Sequence, residues 1–168
     1  YYYRNLQSGA WSGYHEDSTY TPASLMKVPL MIAIYKQAEN NPSLLSKKIY
    51  FDGSFDYNKA EYYKPKNYIQ SKTSYSVDDL VNYMITDSDN NATALLTTLV
   101  QPEMLTQMYT DLGLPVPTKD TTGTIDYMSS KLYSRLFRVL YNATYLNENL
   151  SLKALKLLIT PDFPEGIS

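Results

Sequence analysis

Apolar residues recur at helical spacing along most of the chain, and this periodicity predicts a mainly α-helical protein. Leu80, Val81, Met84 and Ile85, for example, would share one face of a helix. The pattern predicts helices at 24–39, 76–87, 91–100, 102–112, 125–142 and 151–159. Near the start of the chain, 1–7 and 10–16 are instead typical of two strands that turn at Ser8-Gly9.

The first predicted helix carries a serine and a lysine one turn apart. Ser24-Leu25-Met26-Lys27 is followed by an apolar run over 28–34 that would bury the helix. Spacing i, i+3 places both side chains on one face, roughly 5–6 Å apart at Cβ. A buried amine has a lowered pKa and can take a proton from a serine hydroxyl, so the pair is a candidate nucleophile and base. The alternative is that Ser24 caps the helix and Lys27 is solvated. Pro29 is expected to bend the helix just beyond Lys27.

A second polar motif, Ser88-Asp89-Asn90, lies 64 positions after Ser24 between two predicted helices. A capping box at Ser76-Val77-Asp78-Asp79 opens the helix before it. The motif would therefore occupy a tight turn in which the Ser88 hydroxyl faces a cleft. Ordinary capping of the following helix by the same residues is the alternative interpretation.

Composition excludes several classes of function. The net charge of −2, with signs interspersed, shows no nucleic-acid footprint. No apolar run approaches the ~18 residues of a membrane span. The chain has no cysteine, so thiolate metal sites and disulfides are excluded, and the single histidine, His15, rules out a histidine-cluster metal site. Catalysis of the Ser-His-Asp type would have to use that one histidine on a predicted strand-to-loop segment.

The two motifs together resemble those of the serine penicillin-recognising family, which comprises class A β-lactamases and related D,D-peptidases. Further matching segments are Arg4–Trp11, ahead of the nucleophile, and Asp120-Thr121-Thr122-Gly123, which resembles the start of the helix after the family's omega loop. Leu158–Phe163 resembles the approach to a third motif. The resemblance covers essentially the whole chain. It implies an α/β fold, of which residues 1–168 would supply the helical half of an α/β sandwich, mostly α with one or two strands at the N-terminus.

The resemblance also implies a mechanism and a setting. Ser24 would attack a carbonyl carbon, Lys27 would take its proton, Ser88 would relay a proton to the leaving nitrogen, and Asn90 would bind substrate. The implied partner is a β-lactam or a peptidoglycan stem peptide that ends in D-Ala-D-Ala, with no cofactor and no metal. A bacterial protein of this kind would be secreted or held at the cell envelope.

Two departures from the family pattern shape these expectations. The third motif, Lys-Thr-Gly or Lys-Ser-Gly, is absent from these 168 residues. We therefore expect 1–168 to be a partial domain whose remaining strands come from a longer chain or a complementing polypeptide. The stretch Leu112–Thr121 also lacks the omega-loop glutamate of class A enzymes, while Glu103 and Glu148 lie only on its flanks. Slow deacylation is expected.

Tyrosine is unusually frequent, with 18 residues against four phenylalanines. Tyr62, Tyr63, Tyr68 and Tyr75 fall in or beside a polar stretch over 52–74 that predicts loop or short strand pairs. They are expected to be half-buried fillers, the alternative being a surface that stacks on sugars or peptides. Two further functions stay open beside the serine hydrolase. One is a catalytically weak member of the fold that binds peptidoglycan or has a structural role, and the other is an unrelated helical binding module.

Overall fold

The computed structural model of the protein describes residues 1–117 and 126–161. Helices dominate this part of the chain, as the apolar periodicity predicts. The helices are α1 (Lys27–Asn40), α2 (Val77–Thr86), α3 (Asn90–Thr97), α4 (Pro102–Asp111), α5 (Ser130–Tyr141) and α6 (Glu148–Leu158), with short 3-10 helices at Ala23–Met26 and Pro42–Ser46. None of the helices in these two ranges is long and apolar enough to cross a membrane.

Short antiparallel strand pairs accompany the helices at three places. The expected N-terminal pair is present as β1 (Tyr2–Arg4) and β2 (Trp11–Gly13), with Tyr3 opposite Ser12. The other two pairs join distant parts of the chain and were not predicted as such. They are β3 (Thr19–Tyr20) with β6 (Met128–Ser129), and β4 (Lys48–Phe51) with β5 (Thr73–Ser76). Because β6 ends at Ser129, α5 begins at Ser130, and the prediction that one helix runs over 125–142 is wrong at its start.

Helix α1 forms the centre of the hydrophobic core. Its residues Met31, Ile32, Ile34 and Tyr35 are at most 1% exposed. A helix that is apolar around its whole circumference has to be enclosed. Helices α2, α3, α4 and α6 all pack against α1. This burial fixes the first residues of α1, where the candidate site begins.

The proline in this central helix lies nearer to the start of the α-helix than the sequence predicted. The segment 24–39 is divided into the 3-10 helix Ala23–Met26 and an α-helix that begins at Lys27. Pro29 is therefore the third residue of α1, in the first turn, where a backbone N–H has no intrahelical acceptor to lose. The sequence prediction of a bend beyond Lys27 assumed that the α-helix starts at Ser24, and that assumption is wrong.

Helix boundaries elsewhere follow the sequence signals. Ser76 and Asp79 form the predicted capping box at the start of α2. Helix α4 ends in a Schellman motif at Gly113, whose φ is 61°. There the Leu114 N–H donates to the Tyr109 carbonyl and the Gly113 N–H donates to Thr110. Helix α6 begins three residues earlier than predicted because Asn147 caps it through a bond from the Leu150 N–H.

Candidate active site

The site forms where the start of α1 meets the turn between α2 and α3. The structure brings Ser24, Lys27, Ser88 and Asn90 together, although 61 positions separate Lys27 from Ser88. Lys27 Nζ lies 3.3 Å from Ser24 Oγ, 2.7 Å from Ser88 Oγ and 2.8 Å from Asn90 Oδ1. Ser88 Oγ in turn lies 3.2 Å from Ser24 Oγ. Two hydroxyls and one amine therefore share a single hydrogen-bonded cluster.

The acceptors around Lys27 determine how its nitrogen is oriented. Besides the three side-chain atoms, the Ser88 carbonyl oxygen lies 2.7 Å from Nζ. That carbonyl and Asn90 Oδ1 can only accept, so each fixes one N–H of the lysine. A neutral amine has two N–H groups and one lone pair. With both N–H groups engaged, the lone pair is left to face the hydroxyls of Ser24 and Ser88.

Burial makes this neutral form accessible. Lys27 is 7% exposed. Desolvation lowers the pKa of its ammonium group to about 8, against the opposing influence of the Glu61 and Asp89 carboxylates. With that pKa about a tenth of the molecules carry a neutral Lys27 at pH 7, where an ordinary lysine has fewer than one in a thousand. Lys27 can thus act as a base near neutral pH.

Two residues beside the cluster adopt left-handed backbone conformations. Ala23, immediately before Ser24, has a φ of 45°, and Ser88 has a φ of 58°. Neither is a glycine, so each conformation costs of order 1 kcal/mol and persists only because its surroundings hold it. The bond from Lys27 to the Ser88 carbonyl and the Asp89 N–H bond to the Tyr83 carbonyl brace the second of these positions.

Three tyrosine hydroxyls hold the 3-10 turn that carries Ser24. Tyr133 donates to the Leu25 carbonyl at 3.0 Å, and Tyr127 and Tyr109 point to Met26 Sδ at 3.0 and 3.7 Å. Burial raises the pKa of Tyr109 and Tyr133 well above the usual range, so both stay protonated as donors. No sequence pattern indicates this role, because the tyrosines lie about 80 to 110 positions from the turn.

Asp89 links the long loop 52–72 to the turn between α2 and α3 through hydrogen bonds. Its carboxylate is fully buried and caps α3 by accepting from the Asn91 and Ala92 N–H groups. It also accepts from Asn58 Nδ2 at 2.9 Å and from the Ile69 N–H at 2.8 Å, both in the loop 52–72. This one carboxylate therefore joins the helix start to both limbs of the loop.

The fastened loop brings Glu61 to the site, a residue that the sequence analysis did not identify. Glu61 Oε1 accepts from Asn90 Nδ2 at 2.7 Å, on the opposite side of the amide from Lys27. Tyr62 and Tyr63 follow it and are 90% and 59% exposed, and Tyr68 is also exposed. The expectation of half-buried fillers is therefore wrong for these three tyrosines and correct for Tyr75, which packs against the core.

A cavity of about 650 Å³ opens beside these groups. Its polar lining includes Ser24, Lys27, Glu61 and Asn90. Its more apolar lining includes Leu30, Leu105, Tyr109, Val116 and Pro117. The cavity is large enough for a small ligand whose reacting group meets Ser24.

No group of three or more histidine, aspartate or glutamate side chains in 1–117 and 126–161 is arranged to hold a metal ion. Glu103 and Glu148 lie in the first turns of α4 and α6. The segment Asp120-Thr121-Thr122-Gly123, which resembles the start of the helix after the omega loop, lies outside the described residues. Residues 162–168, which include the end of the segment Leu158–Phe163 that resembles the approach to a third motif, lie outside them as well.

Comparison with protein-family models gives a match over residues 1–168 to a family described as the beta-lactamase enzyme family. No match was found among curated protein sequences. Solved structures share the fold. The chain aligns with PBP-A at a TM-score of 0.78 and 20% identity, covering 96% of this chain and 62% of PBP-A. A PBP-A mutant solved as an acyl-enzyme complex with penicillin G aligns at 0.77 and 21%, covering 99% and 66%.

A β-lactamase from Sphaerobacter thermophilus DSM 20745 aligns at a TM-score of 0.75 and 22% identity, covering 94% of this chain and 61% of that one. The carbapenemase VCC-1 from Vibrio cholerae N14-02106 aligns at 0.77 and 20%, covering 96% and 64%. At these identities the alignments establish the fold. The chain spans about 61–66% of the length of these structures. The predicted α/β sandwich fold, with its helical half in these residues, is confirmed.

Proposed function

The chain belongs to the β-lactamase enzyme family, and we propose that the protein is a serine hydrolase that transfers an acyl group through Ser24. The observation that carries this proposal is the contact of one buried lysine nitrogen with two serine hydroxyls. Lys27 Nζ lies 3.3 Å from Ser24 Oγ and 2.7 Å from Ser88 Oγ. A hydroxyl becomes an effective nucleophile when a positioned base takes its proton.

In the proposed acylation, neutral Lys27 takes the Ser24 proton as Oγ bonds to a carbonyl carbon. The carbonyl electrons move to its oxygen and give a tetrahedral intermediate. The intermediate then collapses, the carbon–nitrogen bond breaks, and the departing nitrogen takes a proton. Ser88 Oγ donates that proton and recovers one from Lys27, so the amine ends neutral and the acyl group remains on Ser24.

The oxyanion of the intermediate needs donors near Ser24. The first hydrogen bond of the 3-10 helix runs from the Leu25 N–H to the Pro22 carbonyl. The Ser24 N–H precedes that bond and is one of the N–H groups that a helix start leaves without an internal acceptor. We assign it to the oxyanion. The second donor is expected from the strand that carries the third motif in relatives.

The substrate class follows from the reaction and the cavity. A β-lactam and the D-Ala-D-Ala end of a peptidoglycan stem peptide both present an amide carbonyl to Ser24. The Asn90 amide lines the same cavity, which supports its proposed role in substrate binding. With this substrate, the protein is expected to be secreted or held at the cell envelope. Fractionation of the source cells tests that expectation.

Covalent labelling tests the proposed function. The full-length polypeptide is incubated with a fluorescent penicillin, and the label is followed on a denaturing gel. Ser24→Ala should abolish labelling, and Ser12→Ala, at an exposed position of β2, should leave it intact. Equal labelling of Ser24→Ala and wild type, or no labelling of correctly folded wild type, would contradict the proposal. The second result would favour a peptidoglycan-binding role without catalysis.

A further inference from the structure

One carboxylate at the site has no part in the proton transfers described above. Glu61 lines the cavity, and its Oε1 accepts from Asn90 Nδ2 at 2.7 Å. The same amide offers its Oδ1 to Lys27 Nζ at 2.8 Å. Glu61, Asn90 and Lys27 therefore form a continuous line of hydrogen bonds that ends at the proposed base.

This line fixes which way the Asn90 amide faces. An amide turned by 180° would direct its NH₂ group at Lys27 and its oxygen at the Glu61 carboxylate, which would place like groups against each other. Only the observed orientation satisfies all three residues. Because Asn90 Oδ1 holds one N–H of Lys27, the orientation of the amide also sets where the lysine lone pair points.

We propose that Glu61 is a positioning residue that holds Asn90 in the orientation that aims Lys27 at Ser24. The negative charge of Glu61, which lies one hydrogen-bonded residue away from Lys27, also favours the protonated form of the amine. The inference rests on the proposed role of Lys27 as the base. Glu61, in the loop 52–72, would thus influence both the orientation of Lys27 in α1 and the pH range in which Lys27 acts as a base. Glu61 acts through Asn90 and does not contact the reacting atoms.

Two carboxylates among the described residues act on the charge of Lys27. Glu61 and Asp89 both raise its pKa, while desolvation, the larger influence, lowers it. Asp89 is fully buried and already accepts from Asn58, Ile69, Asn91 and Ala92. Its replacement would disturb the fold. Tyr109 faces the same cavity from α4, and it stays neutral because burial raises its pKa. Glu61 is exposed and can be changed without opening the core.

Two substitutions separate the hydrogen bond from the charge. Glu61→Gln keeps an oxygen that can accept from Asn90 and removes the charge, whereas Glu61→Ala removes both. Glu103→Gln is the matched control, because it removes one carboxylate from the first turn of α4 and none from the neighbourhood of Lys27. Acylation rates with a chromogenic cephalosporin are measured from pH 5.5 to 10 on the full-length polypeptide.

Neutral Lys27 is the active form, so acylation should rise with pH through a midpoint near the lysine pKa of about 8. Glu61→Gln should move this midpoint downward and raise the rate at pH 6.5 by about two- to fivefold, since less charge then holds the proton. Salt near 1 M should reduce the difference between wild type and Glu61→Gln, because the Debye length falls to about 3 Å. Glu61→Ala should shift the midpoint as well and in addition lower the high-pH plateau, by about tenfold relative to Glu61→Gln.

A direct titration of Lys27 keeps this test independent of catalysis. In protein with ¹³C-labelled lysine, the Lys27 signal is the one that Lys27→Met removes. Its midpoint should lie lower in Glu61→Gln than in wild type and Glu103→Gln. Equal midpoints in all three proteins would overturn the inference, as would equal acylation plateaus for Glu61→Ala and Glu61→Gln. If wild type forms no adduct at all, the proposed function fails, and the titration still decides whether Glu61 acts on Lys27.

Discussion

Lys27 Nζ lies within 3.3 Å of four oxygen atoms that belong to Ser24, Ser88 and Asn90. An ammonium group has three protons, so it cannot bond to all four at once. The longest of these contacts joins Nζ to Ser24 Oγ, the oxygen whose proton the base must take. Loss of one proton leaves two N–H groups for the Ser88 carbonyl and Asn90 Oδ1, and it leaves a lone pair that can take the proton of a hydroxyl. The neutral amine, which burial of Lys27 favours by lowering its pKa, is therefore the form that can act as the base.

This account predicts the effect of replacing the amine. Lys27→Met keeps much of the length and apolar stem of the side chain and removes its base. Acylation of Ser24 should fall by about 10²–10⁴-fold, the usual contribution of a positioned base. Stopped-flow measurement of acylation gives the rate, and Lys48→Met, at an exposed position of β4, is the control. A Lys27→Met protein that acylates at more than a tenth of the wild-type rate would rule out Lys27 as the base.

The sequence indicates those site residues that are linked by local spacing or by a short motif, and it does not indicate those that depend on tertiary contacts. Ser24 and Lys27 lie one turn apart, so their spacing alone predicts a shared face. Ser88 and Asn90 were identified through a motif. The sequence did not indicate Glu61, because its approach to Asn90 depends on hydrogen bonds from Asn58 and Ile69 to Asp89, which lies 31 and 20 positions away from them. Such tertiary contacts do not produce a periodic pattern in the sequence.

At the scale of elements, the site depends on a loop fastened to a helix start. The loop 52–72 joins β4 to β5 and has no regular structure that would fix its path. Asp89 supplies the constraint, with Oδ1 accepting from Asn58 and Oδ2 from the Ile69 N–H. In addition, Asn58 Oδ1 accepts a hydrogen bond from the Asn90 N–H at 2.9 Å. The loop and the start of α3 therefore stabilise each other.

Asp89→Asn should break the hydrogen bond between the Ile69 N–H and Oδ2 of residue 89. The new amide can keep the bonds to Oδ1, but its NH₂ group then faces the Ile69 N–H, donor against donor. A buried donor left unsatisfied costs about 1–3 kcal/mol of unfolding free energy. Urea unfolding measures this loss, and hydrogen exchange of the Ile69 amide locates it. Asp87→Asn is the control, because Asp87 holds the same loop through exposed contacts with Asn67 and should cost less. Equal costs for the two variants would show that burial of Asp89 is not decisive.

The distinction between local patterns and tertiary contacts also explains which helices and strands could be predicted from the sequence. Helices α2, α4 and α6 carry their own periodicity and caps, and their positions were predicted to within a few residues. The pairing of β3 with β6 joins two-residue strands more than 100 positions apart. Segments that short show no alternation, so only the folded chain reveals the pair. The late start of α5 is a consequence of that pairing.

At the scale of the whole molecule, a fold that performs acylation need not perform rapid hydrolysis. Deacylation requires a base that aims water at the acyl ester. The described part of the stretch after α4, Leu112–Pro117, contains no carboxylate. In 1–117 and 126–161, Glu61 is the carboxylate that lines the cavity, and it is bonded to Asn90. Among the described residues, the candidate site thus has Lys27 as the proposed acylating base and, apart from Glu61, no carboxylate in the cavity lining that could serve deacylation.

The full-length protein should therefore form a long-lived acyl-enzyme with β-lactams. Without a dedicated base, deacylation should be slower than in a class A enzyme by about 10²–10⁴-fold. Single-turnover decay of the adduct of a chromogenic cephalosporin gives this rate. Turnover at class A rates would contradict this prediction and show that some carboxylate serves as the base for deacylation. Loss of deacylation in Glu61→Gln would then assign that role to Glu61, and unchanged deacylation would assign it to a different carboxylate.

The central claim is that Ser24 is the nucleophile of an acyl-transferring site. Mass spectrometry of the full-length polypeptide after brief exposure to penicillin G tests it most directly, by locating the adduct on a proteolytic peptide. The account predicts a single penicilloyl group on Ser24, formed faster at pH 8.5 than at pH 6.5 and absent from Ser24→Ala. An adduct on another residue, or a folded protein that remains unmodified, would contradict it.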